Sequence, residues 1–280
     1  MRFGVNTLIW SVRIEPDKIP LEALREAGVD GLEYPAFDLA AFQPDALRQQ
    51  AEAAGMTLNL CVINPPGANP ISDDNAERSR ALEHWRQAIA MAADAGAEVV
   101  AGPTCAPVGW LPGRRRSAEE WRRAVDFHQQ LGPALENAGV DLAIEPLNRF
   151  ETFFLNTTAD GARLVDEIGH PRIGLLLDTF HSNIEDPDVA EAFRLAGGRI
   201  KHVHACENDR GAPGSGHVDF PAVLRSLKAV GYDRWLTIES FDANSPELSA
   251  AAAIWRDLAP SQDALAIEGT KYLRRLWNEI

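Results

Sequence analysis

The sequence has few cysteines, and they follow no motif. Cys61, Cys105 and Cys206 are the only three, and none has the Cys-x-x-Cys spacing of redox or zinc-binding motifs. An odd number of scattered cysteines is typical of reduced thiols in a reducing compartment. We therefore expect mainly structural cysteines and no disulfide.

Long apolar runs are lacking as well. No stretch approaches the roughly 20 apolar residues of a membrane span. The N-terminal residues 1–6 lead straight into a strand pattern, without the apolar region of a signal peptide. We expect a cytoplasmic protein that makes no membrane contact.

Basic residues are also few compared with acidic residues. There are 27 Lys and Arg residues against 41 Asp and Glu residues, which gives a formal net charge of −14 and a pI near 4.9. Such a chain repels phosphate backbones, so nucleic acid is not an expected partner. A locally positive pocket is still compatible with this balance.

What the chain does have is the length and content of one α/β domain. Its 280 residues are close to the roughly 250 of a (β/α)8 barrel, and 45% hydrophobic residues can fill a barrel interior and a helix layer. We predict a single (β/α)8 TIM barrel domain over residues 1–280. The predicted strands are residues 3–6, 31–34, 57–62, 98–102, 142–145, 175–178, 200–204 and 235–239.

Helix signals alternate with these strands. Pro16 and Asp17 predict a helix that ends at Gly28, and Asp73 or Asp74 can cap a helix that runs to about residue 95. Ser117 with Glu120 forms a capping box. The other predicted helices are residues 44–54, 158–168, 187–196 and 220–230, and a C-terminal pair from residue 245 that Pro260 divides.

Four of the predicted strands end on side chains that bind metals. These residues are Glu145, Asp178, His204 and Glu239, separated by 178 − 145 = 33, 204 − 178 = 26 and 239 − 204 = 35 positions. Each interval is about one strand–helix unit, so the four side chains should converge at one end of the barrel. Alternation along each strand turns them towards the interior, together with residues such as Ala143.

A divalent cation explains this set better than separate structural roles. Three carboxylates and one imidazole in a pocket raise one another's pKa values and lose hydration, unless a cation balances them. The oxygen-rich ligand set is hard, which favours Mn²⁺, Mg²⁺ or Co²⁺ over structural zinc. Mn²⁺ is our first expectation.

Further polar and aromatic residues follow the strands. His181 and Arg210 can reach a polar substrate, although surface positions are equally compatible with their spacing. Trp10 and Trp110 lie where aromatic walls suit a sugar, and ordinary packing is the alternative. His202 faces the interior one layer below His204, and we expect a hydrogen-bonded core histidine there.

Three motifs resemble the D-tagatose 3-epimerase family of ketose 3-epimerases. This group includes D-allulose (D-psicose) and L-ribulose 3-epimerases and belongs to the xylose isomerase-like barrels. The motifs are Glu-Pro-Leu-Asn-Arg-Phe-Glu at 145–151, Leu-Asp-Thr-Phe-His-Ser-Asn-Ile-Glu at 177–185 and Glu-Asn-Asp-Arg-Gly-Ala-Pro-Gly-Ser-Gly at 207–216.

The resemblance implies a role for each matching residue. Glu145, Asp178, His204 and Glu239 would bind the metal, with Glu145 and Glu239 also the acid/base pair. Glu151, His181 and Arg210 would hold substrate hydroxyls. The family is typically dimeric or tetrameric, so we expect a homodimer or homotetramer. Ser240, where many relatives have proline, and Asn6, where some have an aromatic residue, depart from the pattern.

We therefore predict a metal-dependent ketose 3-epimerase acting on a small free ketohexose or ketopentose. An aldose–ketose isomerase or hydroxypyruvate isomerase on the same metal site is the first alternative, since it shares the enediolate chemistry. A non-catalytic sugar-binding barrel is the second. Binding alone does not need two opposed carboxylates on a metal, which disfavours that reading.

Overall fold

Eight parallel strands close into a barrel within the part of the chain that the computed structural model describes, residues 1–13 and 15–280. Each strand pairs with its neighbours in chain order, and the last pairs with the first. The predicted (β/α)8 TIM barrel is confirmed. The strands are β1 (Arg2–Asn6), β2 (Gly31–Pro35), β3 (Thr57–Cys61), β4 (Val99–Gly102), β5 (Asp141–Ile144), β6 (Ile173–Asp178), β7 (Ile200–Ala205) and β8 (Trp235–Ile238).

Helices surround this barrel. Among the described residues, none of them is both long and apolar enough to cross a membrane. Short 3₁₀ helices lie at Thr7–Ile9, Pro16–Lys18 and Gly197–Arg199. The α-helices are α1 (Leu21–Ala27), α2 (Pro44–Ala53), α3 (Asn75–Asp94), α4 (Ala118–Ala138), α5 (Thr158–Ile168), α6 (Thr179–Glu185), α7 (Val189–Ala196), α8 (Phe220–Ala229), α9 (Pro246–Ala252) and α10 (Gln262–Glu279).

The predicted caps form as the sequence indicates. The Asp74 side chain accepts from the backbone N–H of Ala76 and starts α3. Ser117 and Glu120 make both hydrogen bonds of the capping box at the start of α4. Local hydrogen bonding alone therefore accounts for these two helix starts.

Other helix boundaries differ from the prediction. The stretch that begins at Pro16 is a 3₁₀ turn, and α1 starts only at Leu21, because a residue before proline, here Ile19, avoids the helical conformation. The helix predicted from Pro187 begins at Val189, and α6 precedes it. Asp178 starts α6 by accepting from the N–H of Phe180, directly at the end of β6.

The two faces of the strands separate as predicted. Buried apolar side chains form a separate cluster in the barrel interior, namely Val99, Ala101, Ala143, Leu176 and Trp235. The opposite faces of β5 to β8 pack outwards against the helices and belong to the main core. Register pairs Asp178 with His204, and His204 with Thr237, so the carboxyl ends of β6, β7 and β8 lie at similar heights.

The amino end of the barrel holds a separate charged cluster. Asp141 is buried there and pairs with Arg234 at 2.5 Å, and with Arg172 and Lys201 at 3.3 Å each. These contacts join β5, β7 and the segments before β6 and β8. The ion pairs of this cluster stabilise the barrel. Catalytic residues of (β/α)8 enzymes lie instead at the carboxyl end of the strands.

Candidate active site

Four buried side chains meet at the carboxyl end of the barrel. Glu145, Asp178, His204 and Glu239 each offer one ligand atom, and these atoms lie within 4.8 Å of one another. All four are at most 6% exposed. They follow or end β5, β6, β7 and β8, so the structure brings together the whole set that the strand ends predict.

His204 presents one ring nitrogen to this cluster. Its Nε2 lies 2.7 Å from Glu33 Oε1, and a carboxylate only accepts, so the N–H is on Nε2. The other nitrogen, Nδ1, lies 3.4 Å from Glu239 Oε2 and 3.9 Å from Glu145 Oε1. Within the described residues Nδ1 has no hydrogen-bond partner. In the neutral ring, the Nδ1 lone pair is therefore directed into the carboxylate cluster.

The electrostatics of the cluster favour a cation beside that nitrogen. Burial disfavours a charged imidazole, yet Glu239 and Glu33 raise the pKa of His204 well above its usual range. The carboxylates thus stabilise positive charge at Nδ1. Three carboxylates and one imidazole nitrogen are also the donor set of a hard divalent ion. The residues present therefore fit a divalent cation.

The two glutamates sit in different electrostatic environments. Burial and the nearby Glu239 raise the pKa of Glu145 well above its usual range. Burial also acts against ionised Glu239, but the positive charges of His204 and Arg210 outweigh it and lower the Glu239 pKa to about 2. Carboxyl groups whose pKa values are pushed apart in this way can divide acid and base roles.

His181 lies beside the cluster, and both of its ring nitrogens meet hydrogen-bond donors. Its Nδ1 lies 3.1 Å from the backbone nitrogen of Asn148, and its Nε2 lies 3.0 Å from Arg210 Nη2, which can only donate. Burial lowers the His181 pKa to about 3, so the ring is neutral near pH 7. A neutral ring accepts at one nitrogen and donates at the other, so only one of these two contacts is a hydrogen bond at a time.

Asn148 also positions Glu151. The Asn148 Oδ1 accepts from the N–H of Phe150, which settles the orientation of the amide, and Nδ2 donates to Glu151 Oε1 at 2.7 Å. Burial raises the Glu151 pKa. One residue of the first motif thus arranges two side chains proposed to bind substrate.

Arg210 is held tightly against the cluster. Its Nη1 donates to Asp178 Oδ2 at 2.5 Å and to Glu239 Oε2 at 2.9 Å. The guanidinium lies over the rings of Phe180 and Phe241, 4.2 and 5.1 Å from their centroids. The Arg210 backbone has φ +69°, a strained conformation for a side chain of this size.

Ser240 stabilises that strained backbone. Its Oγ donates to the carbonyl oxygen of Arg210 at 2.7 Å, and the residue is fully buried. Proline at this position would have no hydroxyl to donate. The Ser240 hydroxyl therefore makes a contact that proline could not make.

A cavity of about 150 Å³ opens onto these groups. Its charged and polar lining residues are Glu145, Glu151, His181, Arg210 and Glu239. Its apolar lining residues include Leu8, Phe37, Ile63, Val108 and Phe241. A few convergent polar groups against an apolar wall are typical of a small-molecule site.

Trp10 and Trp110 are not among the residues that line this cavity. Trp10 is buried, and its Nε1 donates to Asp263 of α10 at 2.7 Å, which turns the indole towards the helix layer. Trp110 packs edge to face on Phe153, with centroids 5.1 Å apart. Both contacts are ordinary packing, the alternative that the sequence left open.

Glu33 and Asn148 are site residues that the sequence reasoning missed. The sequence pattern predicts Glu33 only as part of a strand, although a carboxylate within a buried apolar strand indicates a paired interior charge. Asn6 is also fully buried and donates to Glu33 Oε1 at 2.7 Å. Asn6 therefore lies behind the carboxylates, and it is not one of the residues that line the cavity.

Comparison with known proteins agrees with this geometry. Residues 21–275 match the family model described as the xylose isomerase-like TIM barrel. A probable ketose 3-epimerase of Synechocystis sp. is 34% identical over 278 residues, which is 99% of this chain and 97% of the relative. The chain belongs to the ketose 3-epimerases, a group of xylose isomerase-like barrels.

Two further relatives show the same likeness. The L-ribulose 3-epimerase of Mesorhizobium japonicum is 35% identical over 269 residues, covering 95% of this chain and 90% of the relative. The crystal structure of D-allulose 3-epimerase from Methylomonas sp. in complex with D-allulose superposes with a TM-score of 0.92. It is 27% identical and covers 98% of this chain and 96% of that chain.

Proposed function

We propose that this protein is a metal-dependent epimerase that inverts carbon 3 of a free ketohexose or ketopentose. One observation carries the proposal: Glu145 and Glu239 line the cavity of about 150 Å³ and also belong to the buried ligand cluster. Relatives named for L-ribulose and D-allulose support the substrate class. D-Tagatose, D-allulose, D-fructose and L-ribulose are therefore the sugars to test.

The loop after β7 favours a free sugar over a sugar phosphate. Its glycines could form a phosphate cradle only if backbone N–H groups were available. Instead, the N–H groups of Gly214 and Val218 donate to the two carboxylate oxygens of Glu207, at 2.8 and 3.0 Å. An anionic side chain already takes these donors, which disfavours a second anion in the loop.

Glu145, Asp178, His204 and Glu239 would hold the cation, with Mn²⁺ expected first and Mg²⁺ or Co²⁺ as alternatives. When bound, a divalent ion supplies Lewis acidity that makes the carbon-3 hydrogen of a ketose easier to remove. The protein then has to bind the sugar, take that proton and return one to the other face.

The two glutamates perform this proton exchange in the proposed mechanism. One carboxylate removes the carbon-3 proton, and the resulting enediolate is planar, so the second glutamate can deliver a proton from the opposite side. Glu151, His181 and Arg210 orient the sugar hydroxyls. His181 is neutral near pH 7, so its ring offers one N–H donor and one acceptor nitrogen.

The isomerase alternatives share the enediolate but move the proton between carbons 1 and 2. The experiment that tests the proposal is incubation of D-tagatose, D-allulose, D-fructose and L-ribulose with Mn²⁺-loaded protein, followed by chromatographic identification of the products. Carbon-3 epimers support the proposal, and aldoses support the isomerase. Binding without turnover would favour the non-catalytic barrel. A homodimer or homotetramer and a cytoplasmic location stay predictions.

Arg210→Ala tests whether this residue binds substrate rather than the cation. Removing a guanidinium that donates to Asp178 and Glu239 takes positive charge away from the cluster, so cation affinity should be unchanged or higher. We expect a raised KM and a lower kcat/KM with full metal occupancy, measured by steady-state kinetics and elemental analysis. A collapse of metal occupancy would contradict the assignment.

A further inference from the structure

We propose that Glu33 is a positioning residue for the cation site, acting through His204 and through Asn6. The inference rests on the proposed function and adds a residue outside the four ligands. Glu33 lies on β2, on the other side of the barrel from β6, and is 1% exposed. A buried carboxylate needs close partners to offset lost hydration.

The first partner is the imidazole ligand. Glu33 Oε1 lies 2.7 Å from His204 Nε2 and can only accept a hydrogen bond there. This contact requires an N–H on Nε2, so in the neutral ring Nδ1, which faces the other ligands, has a free lone pair. Without an acceptor at Nε2 the ring proton can occupy either nitrogen. An Nδ1–H tautomer has no lone pair for a cation.

The second partner connects Glu33 to Glu239. Asn6 Oδ1 accepts from the N–H of Leu8, so the orientation of its amide is fixed, and Nδ2 faces the carboxylates. Nδ2 donates to Glu33 Oε1 at 2.7 Å and makes a longer contact of 3.5 Å with Glu239 Oε1. Glu33 Oε1 therefore contacts the proposed ligand His204 directly, and it contacts a second proposed ligand, Glu239, through Asn6.

The other Glu33 oxygen faces a residue that is not a ligand. His202 Nε2 lies 2.7 Å from Glu33 Oε2, although the orientation of the two groups does not form a hydrogen bond. His202 is fully buried one layer below His204, and their rings meet edge to face with centroids 5.2 Å apart. His202 is thus a core histidine as expected, but neither of its ring nitrogens forms the expected hydrogen bond among the described residues. It packs beneath His204 and confines the Glu33 carboxylate from below.

The test is the Mn²⁺ affinity of purified, metal-free protein, with free Mn²⁺ measured by its electron paramagnetic resonance signal. Glu33→Met keeps the chain length but removes the acceptor, and it should bind Mn²⁺ about 10–100-fold more weakly. Glu33→Gln keeps an oxygen that can accept from His204, so it should retain most of the affinity. Glu120→Gln, a buried carboxyl on α4 away from the site, is the matched control and should bind as wild type.

A second readout reports the tautomer directly. In metal-free protein with ¹⁵N-labelled histidine, at a pH where the His204 ring is neutral, long-range ¹H–¹⁵N spectra should place the His204 proton on Nε2 in the wild type and on both nitrogens in Glu33→Met. Circular dichroism of each metal-free variant checks the fold. If Glu33→Met does not fold, Glu33→Asp, whose oxygen is withdrawn from His204, takes its place with the same expected loss.

Two results would overturn the inference while leaving the proposed function intact. One is a Glu33→Met protein that binds Mn²⁺ as tightly as the wild type. The other is a Glu33→Gln protein as weak as Glu33→Met, because the acceptor would then not be the cause. A wild-type protein that binds no Mn²⁺ would instead overturn the cation site itself, and the inference with it.

Discussion

Glu145→Gln and Glu239→Gln should each lower turnover by about 10²–10⁴-fold, the usual contribution of a positioned acid or base. That loss corresponds to about 3–5 kcal/mol of activation free energy. Each substitution keeps the side-chain size and one oxygen for the cation but removes the group that accepts a proton. Steady-state kinetics with the preferred ketose measures the loss, and elemental analysis measures metal occupancy in the same samples.

The two variants should also differ from each other in a specific way. Each retains one glutamate, so each should slowly exchange the carbon-3 hydrogen with solvent deuterium in the single epimer whose hydrogen faces that glutamate. The other epimer should be nearly inert. Glu98→Gln is the control, because Glu98 pairs with Arg2 at the opposite end of the barrel and should leave turnover unchanged. Equal exchange of both epimers by both fully metallated variants would contradict the two-glutamate mechanism.

Removing the divalent cation should abolish turnover and lower the melting temperature. An ion that binds only the folded state stabilises it by about 2.7 kcal/mol at a concentration 100 times its Kd. For a chain of this size, that is roughly 5 °C in Tm. The carboxylates of Glu145, Asp178 and Glu239 repel one another when no cation screens them, which acts in the same direction.

Chelation followed by differential scanning calorimetry and an activity assay measures both effects. Added Mn²⁺ should restore turnover and Tm together, since one site accounts for both. Full activity in protein shown by elemental analysis to be metal-free would contradict the metal dependence.

Strand ends made the ligand cluster predictable from the sequence. Parallel strands of a closed barrel end at one face, so polar residues at the ends of β5 to β8 had to converge once the strands were recognised. Alternation also placed Ala143 and Leu176 inside and Leu142 and Leu175 outside, as the structure shows. These inferences needed only local pattern and topology.

Contacts between distant strands were not predictable in the same way. Glu33 and His204 are 171 positions apart, and nothing in the local pattern of β2 indicates which histidine the carboxylate meets. The sequence pattern does not predict the extra helix α6, because its cap, Asp178, has the pattern of a strand end. The burial of Trp10 likewise depends on Asp263 in α10, far along the chain.

The most direct test of the proposed reaction is the position of deuterium after turnover in deuterated water. Ketohexoses and ketopentoses are incubated with Mn²⁺-loaded protein, and the label is located by NMR. Because the proposed glutamates exchange the carbon-3 proton with solvent, deuterium should appear at carbon 3 of both epimers. Label found only at carbon 1 or carbon 2 would contradict epimerisation and support an aldose–ketose isomerase.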